Sequence, residues 1–235
     1  MRWTTRCSQA VVVLLMVASH LPARAQVEQF LPEIDSYVGI NANGQFWFQA
    51  KQTREDDEPT QAEIGPSFDF FFKPVVKLNS ATVFDLDKSK NRLLVVSMGY
   101  RFLPSPGAPS ENRILLMATS NLPFKGSLLI SDRNRLEINF TNGNNYWRYR
   151  NRVTLQRTIA LHSYHPSLNA SAEAYYNSRY EKWSTTAIYA GAIFPIGKKV
   201  ELNPYYEHQN STGASPNQQI NALGLILNVF FRSHN

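Results

Sequence analysis

The sequence predicts an all-β protein, an antiparallel up-and-down transmembrane β-barrel of about twelve strands with a polar interior. Apolar and polar residues alternate over long stretches, as they do in strands whose two faces meet different surroundings. The links between these stretches have hairpin length, which leaves no room for crossover helices. About twelve strands would enclose an interior too wide for apolar side chains to fill, so we expect the polar face inside.

The first 25 residues are predicted to be a cleaved secretory signal peptide, followed by a single barrel domain over residues 26–235. Arg2 and Arg6 precede a short apolar run, and a small-residue cleavage site ends at Ala25. The alternative is a retained anchor helix, but the run is too short to span a bilayer. The only cysteine, Cys7, lies in the signal, so the mature chain is predicted to lack disulfides and thiolate metal sites.

The charge of the mature chain argues against a nucleic-acid partner. The full chain has a formal net charge of +6, and the signal contributes three arginines and no acidic residue to it. So small an excess in an exported chain does not suit phosphate-backbone binding. We also expect no cofactor and no metal, since the sequence lacks a Gly-rich phosphate loop and a metal-ligand spacing of its histidines.

The first half of the mature chain contains six predicted strands. Asn43-Gly44 is a two-residue hairpin signal between the first two, and residues 104–109 form a Pro/Gly loop before the sixth. Residues 55–59 are predicted to be an acidic turn. The six strands cover residues 34–42, 45–54, 62–72, 76–86, 92–102 and 112–121.

The second half contains six more predicted strands, and residues 146–157 have the sharpest pattern. In Y-W-R-Y-R-N-R-V-T-L-Q-R one face is cationic and polar and the other is aromatic and apolar. In the last strand Leu223, Leu225 and Leu227 share one face, which we expect to contact lipid. The six strands cover residues 127–141, 146–157, 168–180, 183–196, 199–209 and 219–231.

Eight charged residues on three consecutive predicted strands share the polar face and are the candidate lumen-lining residues. Both signs occur, so side chains on neighbouring strands can pair. Two interpretations remain open: a charge network that stiffens the interior, or a hydrated wall that biases a pore toward anions. A solvated face of a soluble sandwich is the alternative. The residues are Arg133, Arg135, Glu137, Arg148, Arg150, Arg152, Glu173 and Arg179.

Four sequence patterns carry a family resemblance: N-R-L-E at residues 134–137, N-Y-W-R-Y-R-N-R at 145–152, I-Y-A-G-A at 188–192, and L-G-L-I-L-N-V-F-F at 223–231. With them the chain resembles an uncharacterised family of bacterial outer-membrane β-barrel proteins, a domain-of-unknown-function family. The resemblance implies a barrel surrounded by outer-membrane lipids, with the barrel-assembly machinery as its partner during insertion. It implies no activity.

Three functional hypotheses follow. The first is a structural barrel or a small channel for polar or anionic solutes. The second is an outer-membrane lipid hydrolase, with His165 as the base and Ser167 as the nucleophile. Because Pro166 separates them in a predicted turn, and because twelve strands would place that turn on the periplasmic side, we expect no enzyme. The third is a soluble periplasmic binding protein with its apolar face inward.

Overall fold

The computed structural model of the protein describes residues 26–74, 86–213 and 217–231. Within these residues it has eleven β-strands and one short 3₁₀ helix, which confirms the predicted all-β class. None of the helical structure in the described ranges is long and apolar enough to span a membrane. The predicted signal peptide, residues 1–25, lies outside the described residues.

The strands are 11 to 17 residues long, and several extend beyond their predicted ends. The first strand begins at Gln26 rather than at residue 34, because its pairing with the last strand continues to that point. The strands are β1 (Gln26–Asn41), β2 (Gly44–Glu55), β3 (Glu58–Pro74), β4 (Arg92–Ser105), β5 (Ala108–Phe124), β6 (Leu128–Thr141), β7 (Asn144–Thr158), β8 (Ser167–Asn177), β9 (Lys182–Ile196), β10 (Val200–Ser211) and β11 (Gln218–Phe231).

The strands form a closed barrel in sequence order, with β1 joined to β11. Sequential neighbours pair antiparallel, as predicted, but β1 and β11 pair parallel. An odd number of alternating strands makes the first and last strands point the same way. The described chain therefore begins at one end of the barrel and finishes at the other. We refer to these as the N-end, where Gln26 lies, and the C-end, where Phe231 lies.

The described residues form eleven strands rather than the predicted count of about twelve, and Gln26 and Phe231 lie at opposite ends of the barrel. The predicted strand 76–86 lies outside the described residues, except for Leu86. β3 pairs directly with β4, so these two strands are neighbours in the wall. The chain before β4 instead forms the 3₁₀ helix Lys88–Asn91, which Asp87 caps by accepting a hydrogen bond from the Ser89 amide at 2.9 Å.

Several connections are tight turns with left-handed residues. Asn142 and Gly143 have φ angles of 45° and 78°, as a two-residue hairpin between twisted strands requires. Asp56 and Asp57 have φ angles of 47° and 65° and connect β2 to β3 at the same end. The predicted acidic turn over residues 55–59 is therefore shorter than expected, and its outer residues belong to strands.

The interior of the barrel is polar and much of its outer surface is apolar. Arg101, Glu137 and Glu201 point inward and are at most 1% exposed, whereas Leu223 and Ile188 point outward and are 62% and 58% exposed. This distribution is the reverse of a soluble barrel, in which apolar side chains form the core. The alternative of a soluble protein with its apolar face inward is therefore wrong about the direction of that face.

One polar cluster interrupts the outer surface on β6 and β7. The Asn151 side-chain amide donates to the Asp132 carboxylate at 2.7 Å and to the Asn134 side-chain oxygen at 3.1 Å. The Tyr149 hydroxyl donates to that same Asn134 oxygen at 2.5 Å. The cluster thus satisfies its own hydrogen-bonding groups on an outward face.

Candidate functional site

The inner faces of β6 and β7 carry a cationic cluster, which we call the arginine wall: Arg133, Arg135, Arg148, Arg150 and Arg152. Side chains two residues apart in a strand share a face, so the spacing points all five inward. The register places Arg133 directly opposite Arg152, and Arg135 directly opposite Arg150. Like charges at opposite positions repel, so the wall needs carboxylates between its members.

Glu137 is the first of these carboxylates, and its side chain is fully buried. It lies 2.7 Å from the Arg135 guanidinium, 2.5 Å from Arg148 and 3.1 Å from Arg150. Arg113, on β5, approaches it at 3.9 Å. The Glu137 carboxylate therefore interacts with four guanidinium groups on three strands.

Glu173, on β8, is the second buried carboxylate. Its oxygens lie 2.5 Å from Arg152, 3.0 Å from Arg150 and 3.4 Å from Arg133. The hydroxyls of Tyr175 and Tyr189 donate to it at 3.0 and 2.9 Å. Because Arg150 contacts both carboxylates, it joins the two halves of the network.

The part of this network on β4 and β5 was not predicted from the sequence. Arg101 and Arg113 are opposite each other in register, and Glu63 on β3 lies 3.7 and 3.3 Å from them. Arg101 also donates hydrogen bonds to Gln49 and to the Ser67 hydroxyl, at 2.8 and 2.9 Å. The signal was available, because Arg101 alternates with the apolar face of β4, but its charged partners lie on other strands.

Arg179 is the one candidate lumen residue outside a strand. It lies in the exposed turn between β8 and β9 at the N-end, because β8 stops at Asn177 rather than at residue 180. Its guanidinium lies 4.0 Å from the centre of the Tyr146 ring. It therefore contacts the entrance of the barrel, apart from the arginine wall.

Ser167 and His165, the residues of the hydrolase hypothesis, lie at the C-end. Ser167 begins β8 on its inner face, is 4% exposed, and its hydroxyl lies 2.9 Å from the Thr158 hydroxyl. His165 lies in the preceding link, residues 159–166. A serine that attacks membrane lipids would have to face outward, and this one faces the interior.

Across the barrel, the inner faces of β1 and β3 carry carboxylates that we call the acidic wall: Glu33, Asp35 and Asp69. Neutral donors hold two of them. The side-chain amide of Gln45 and the indole of Trp47 each donate to Asp69 at 3.0 Å. The Gln49 amide donates to Glu33. No ion pair within 4.0 Å is found for this wall among the described residues.

The arginine wall and the acidic wall line one cavity of about 530 Å³. Towards the C-end, residues 86–91 reach into the lumen. The Leu86 amide donates to Glu201 on β10 at 2.7 Å, and the Lys90 ammonium donates to Gln156 on β7 at 3.0 Å. The Asn121 side chain on β5 donates to the Ser89 carbonyl at 3.1 Å. The segment thus contacts strands on several sides and narrows that end of the cavity.

Among the described residues, no group of three or more His, Cys, Asp or Glu side chains is arranged to hold a metal ion. The model of a protein family of unknown function, DUF2490, matches residues 40–220. The chain belongs to the DUF2490 family. No curated protein matches it.

The DUF2490 match covers the complete arginine wall with both of its buried glutamates, and the predicted family of unknown function is confirmed at that level. Glu33 and Asp35 lie before the first matched residue. In this DUF2490 member the cavity therefore combines a wall inside the matched region with carboxylates outside it. Chemically, the cavity offers paired guanidiniums on one side and carboxylates on the other, which suits the binding of charged polar solutes.

Proposed function

We propose that this DUF2490 member is a transmembrane β-barrel of the bacterial outer membrane, with a polar lumen that admits small solutes. The observation that carries the proposal is the sorting of side chains, polar inward and apolar outward. In water, the outward Phe, Leu and Ile side chains would remain unfavourably hydrated. In a bilayer, the same side chains contact acyl chains, and the closed ladder leaves no backbone group unpaired at an edge.

The lengths of the strands support this location. A tilted transmembrane strand needs about 9–11 residues to cross the hydrocarbon core. Each described strand has at least 11 residues. Outer-membrane lipids would surround the barrel, and insertion would require export through the signal, cleavage after Ala25, and the barrel-assembly machinery.

Aromatic residues lie near both rims of the barrel. At the N-end, the Tyr176 ring lies 5.3 Å from Trp147 and 5.9 Å from Trp183. At the C-end, Phe72 and Phe231 are half exposed on the outer surface. Two such belts match the interfacial girdles of membrane barrels.

Fractionation and gel mobility test the proposed location. We expect the chain in the outer-membrane fraction, and we expect the refolded mature chain in detergent to migrate differently before and after boiling. A protein that is soluble in plain buffer and shows no boiling-dependent shift would contradict the proposal.

A narrow channel is the second candidate, and the charged cavity favours it over a completely filled interior. Arg133, Arg148 and Arg152 keep 22–30% of their side-chain surface exposed towards that space. Planar-bilayer recording of protein shown to be folded should reveal a small anion-preferring conductance. Arg133→Gln should reduce the anion preference, whereas Arg157→Gln on the outer surface should not. Absence of conductance in folded wild-type protein would remove the channel and leave the structural barrel.

A further inference from the structure

The acidic and arginine walls face each other across the lumen. In the closed strand order, β7 lies five strands from β1 in one direction and five strands from β2 in the other. The arginines of β7 are therefore diametrically opposite the β1–β2 pair, on which Glu33 and Asp35 lie. Both walls border the same cavity.

The two walls also lie at the same height. Following the registers from Glu33 through β2–β6 leads to Asn144 on β7, and following them through β11–β8 leads to Thr158. The two routes reach different residues because the strands are tilted relative to the barrel axis. A row of hydrogen-bonded neighbours therefore shifts along that axis as it passes around the wall. The residue of β7 at the same height as Glu33 lies midway between Asn144 and Thr158, at Asn151. Arg150 and Arg152 lie on either side of it.

Asp35 is an incompletely satisfied group in this arrangement. It is 6% exposed, and its Oδ1 atom has no hydrogen-bond partner among the described residues. Its other oxygen accepts from the Tyr37 hydroxyl at 3.3 Å. A buried carboxylate oxygen without a donor is unfavourable, and a cationic donor would relieve it best.

Two cations lie on neighbouring strands, and neither forms an ion pair with Asp35 within 4.0 Å among the described residues. Lys51 on β2 is opposite Glu33 in register. Arg101 on β4 lies 4.6 Å from the centre of the Trp47 ring and donates at 2.8 Å to the carbonyl of Pro66. Asp35 and Glu33 line the cavity side by side, and the buried Oδ1 atom of Asp35 has no donor among the described residues.

The arginine wall, on the opposite side of the cavity, has an excess of guanidinium groups over carboxylates. Glu173 serves three guanidiniums, and Arg133 makes only the longest of these contacts, at 3.4 Å. Arg133 is also 30% exposed, the highest value in the arginine wall. A carboxylate entering the cavity could accept hydrogen bonds from Arg133 and from its register partner Arg152.

We propose that the lumen binds a small zwitterionic solute of the amino-acid or short-peptide class. The carboxylate of the solute lies at Arg133 and Arg152, and its ammonium group lies at Asp35 and Glu33. An anion alone would leave Asp35 unsatisfied, and two adjacent carboxylates offer fewer oxygens than a divalent cation prefers. The inference rests on the proposed outer-membrane barrel, since the barrel lumen forms the site.

Calorimetric titration of the refolded mature chain in detergent tests this site, with glycylglycine as the probe. N-acetyl-glycylglycine lacks the ammonium charge, and glycylglycinamide lacks the carboxylate. We expect glycylglycine to bind and each blocked probe to bind at least about tenfold more weakly, since each loses one charged contact. Equal binding of all three probes, or no binding of glycylglycine, would overturn the inference.

Matched variants locate the two ends of the probe. Asp35→Asn should weaken glycylglycine binding about tenfold and leave glycylglycinamide more strongly affected than the acetylated probe. Asp132→Asn makes the same change on the outer surface, next to Arg133 in the chain, and should have no effect. Equal losses from Asp35→Asn and Asp132→Asn would contradict the site.

The boiling shift, measured on the same samples, separates the two proposals. Glycylglycine binding that fails in protein with a normal shift overturns the zwitterion site and leaves the membrane barrel standing. A chain that shows no shift and remains soluble without detergent overturns the membrane barrel, and the lumen site with it.

Discussion

The two walls of the lumen treat charge in different ways. On the arginine wall, Glu137 and Glu173 are each shared by three or more guanidiniums within 4.0 Å, so the charges are bound within the wall itself. On the acidic wall, neutral amide and indole groups hold Glu33 and Asp69, and Asp35 keeps one oxygen without a donor.

This difference predicts that the arginine wall contributes rigidity and that the acidic wall contributes solute binding. A wall with mutually paired charges resists rearrangement, because moving any arginine leaves a buried carboxylate with fewer partners. A wall whose carboxylates have no ion pair within 4.0 Å among the described residues can accept a cationic partner from solution. We therefore expect substitutions on the arginine wall to change stability, and substitutions on the acidic wall to change binding.

Glu137→Gln should have the largest effect on stability. It leaves four neighbouring guanidiniums without their shared carboxylate, and breaking such a buried network costs about 3–5 kcal/mol. Glu207→Gln is the control on β10, where the carboxylate accepts from Tyr189 at 3.0 Å. It should cost about 1 kcal/mol. Urea unfolding in detergent measures both, and equal losses would show that sharing one carboxylate among several guanidiniums adds no stability.

Leu225→Arg tests whether the outward-facing side chains of β11, the strand paired with β1, contact lipid. In a membrane-embedded barrel, an arginine at mid-bilayer should destabilise folding by about 2–4 kcal/mol. The matched change Asn228→Arg, on the inner parity of β11, should be much milder. Unfolding measured in lipid vesicles compares the two variants. Similar losses at both positions would show that the assignment of faces is wrong.

Arg150→Gln and Arg133→Gln compare the stability contribution of an arginine at the centre of the arginine wall with that of one at its margin. Arg150 lies 3.0 Å from Glu173 and 3.1 Å from Glu137, so its loss should cost about 1.5–3 kcal/mol. Arg133 has one longer contact and should cost less than about 1 kcal/mol. The same unfolding assay applies. A larger loss at Arg133 would place the centre of the network elsewhere.

Ser167→Ala should have a small effect on stability and none on activity. It removes one hydrogen bond to Thr158 at the C-end of β8, which contributes about 1 kcal/mol. We expect wild-type and variant to be equally inactive on a fluorogenic phospholipid. Hydrolysis by the wild-type protein that disappears in the variant would instead support the hydrolase hypothesis.

Much of the wall chemistry was predictable from single strands. Arg148, Arg150 and Arg152 follow the period of two that a strand imposes, so their common face requires no tertiary information. The same holds for Leu223, Leu225 and Leu227 on the outward face of β11. Arg179 lies outside the strand that was predicted to contain it, because the end of a strand depends on where the hairpin turn forms.

The residues before β4 show where local pattern stops being sufficient. The alternating pattern of residues 76–86 predicts a strand, but which strands are neighbours in a wall depends on backbone pairing, and β3 pairs directly with β4. The eleven strands of the described residues make β1 and β11 parallel, so Gln26 and Phe231 lie at opposite ends of the barrel.

Local alternation along the chain thus determined the all-β class, the two faces of each strand and most charged residues of the arginine wall. Closure of the barrel decided which distant residues meet. Glu63 contacts Arg113, and Asp35 lies across the lumen from Arg152, because the number of strands and their register fix those positions. Alternation is a property of consecutive residues, whereas opposition across a lumen exists only once the last strand has paired with the first.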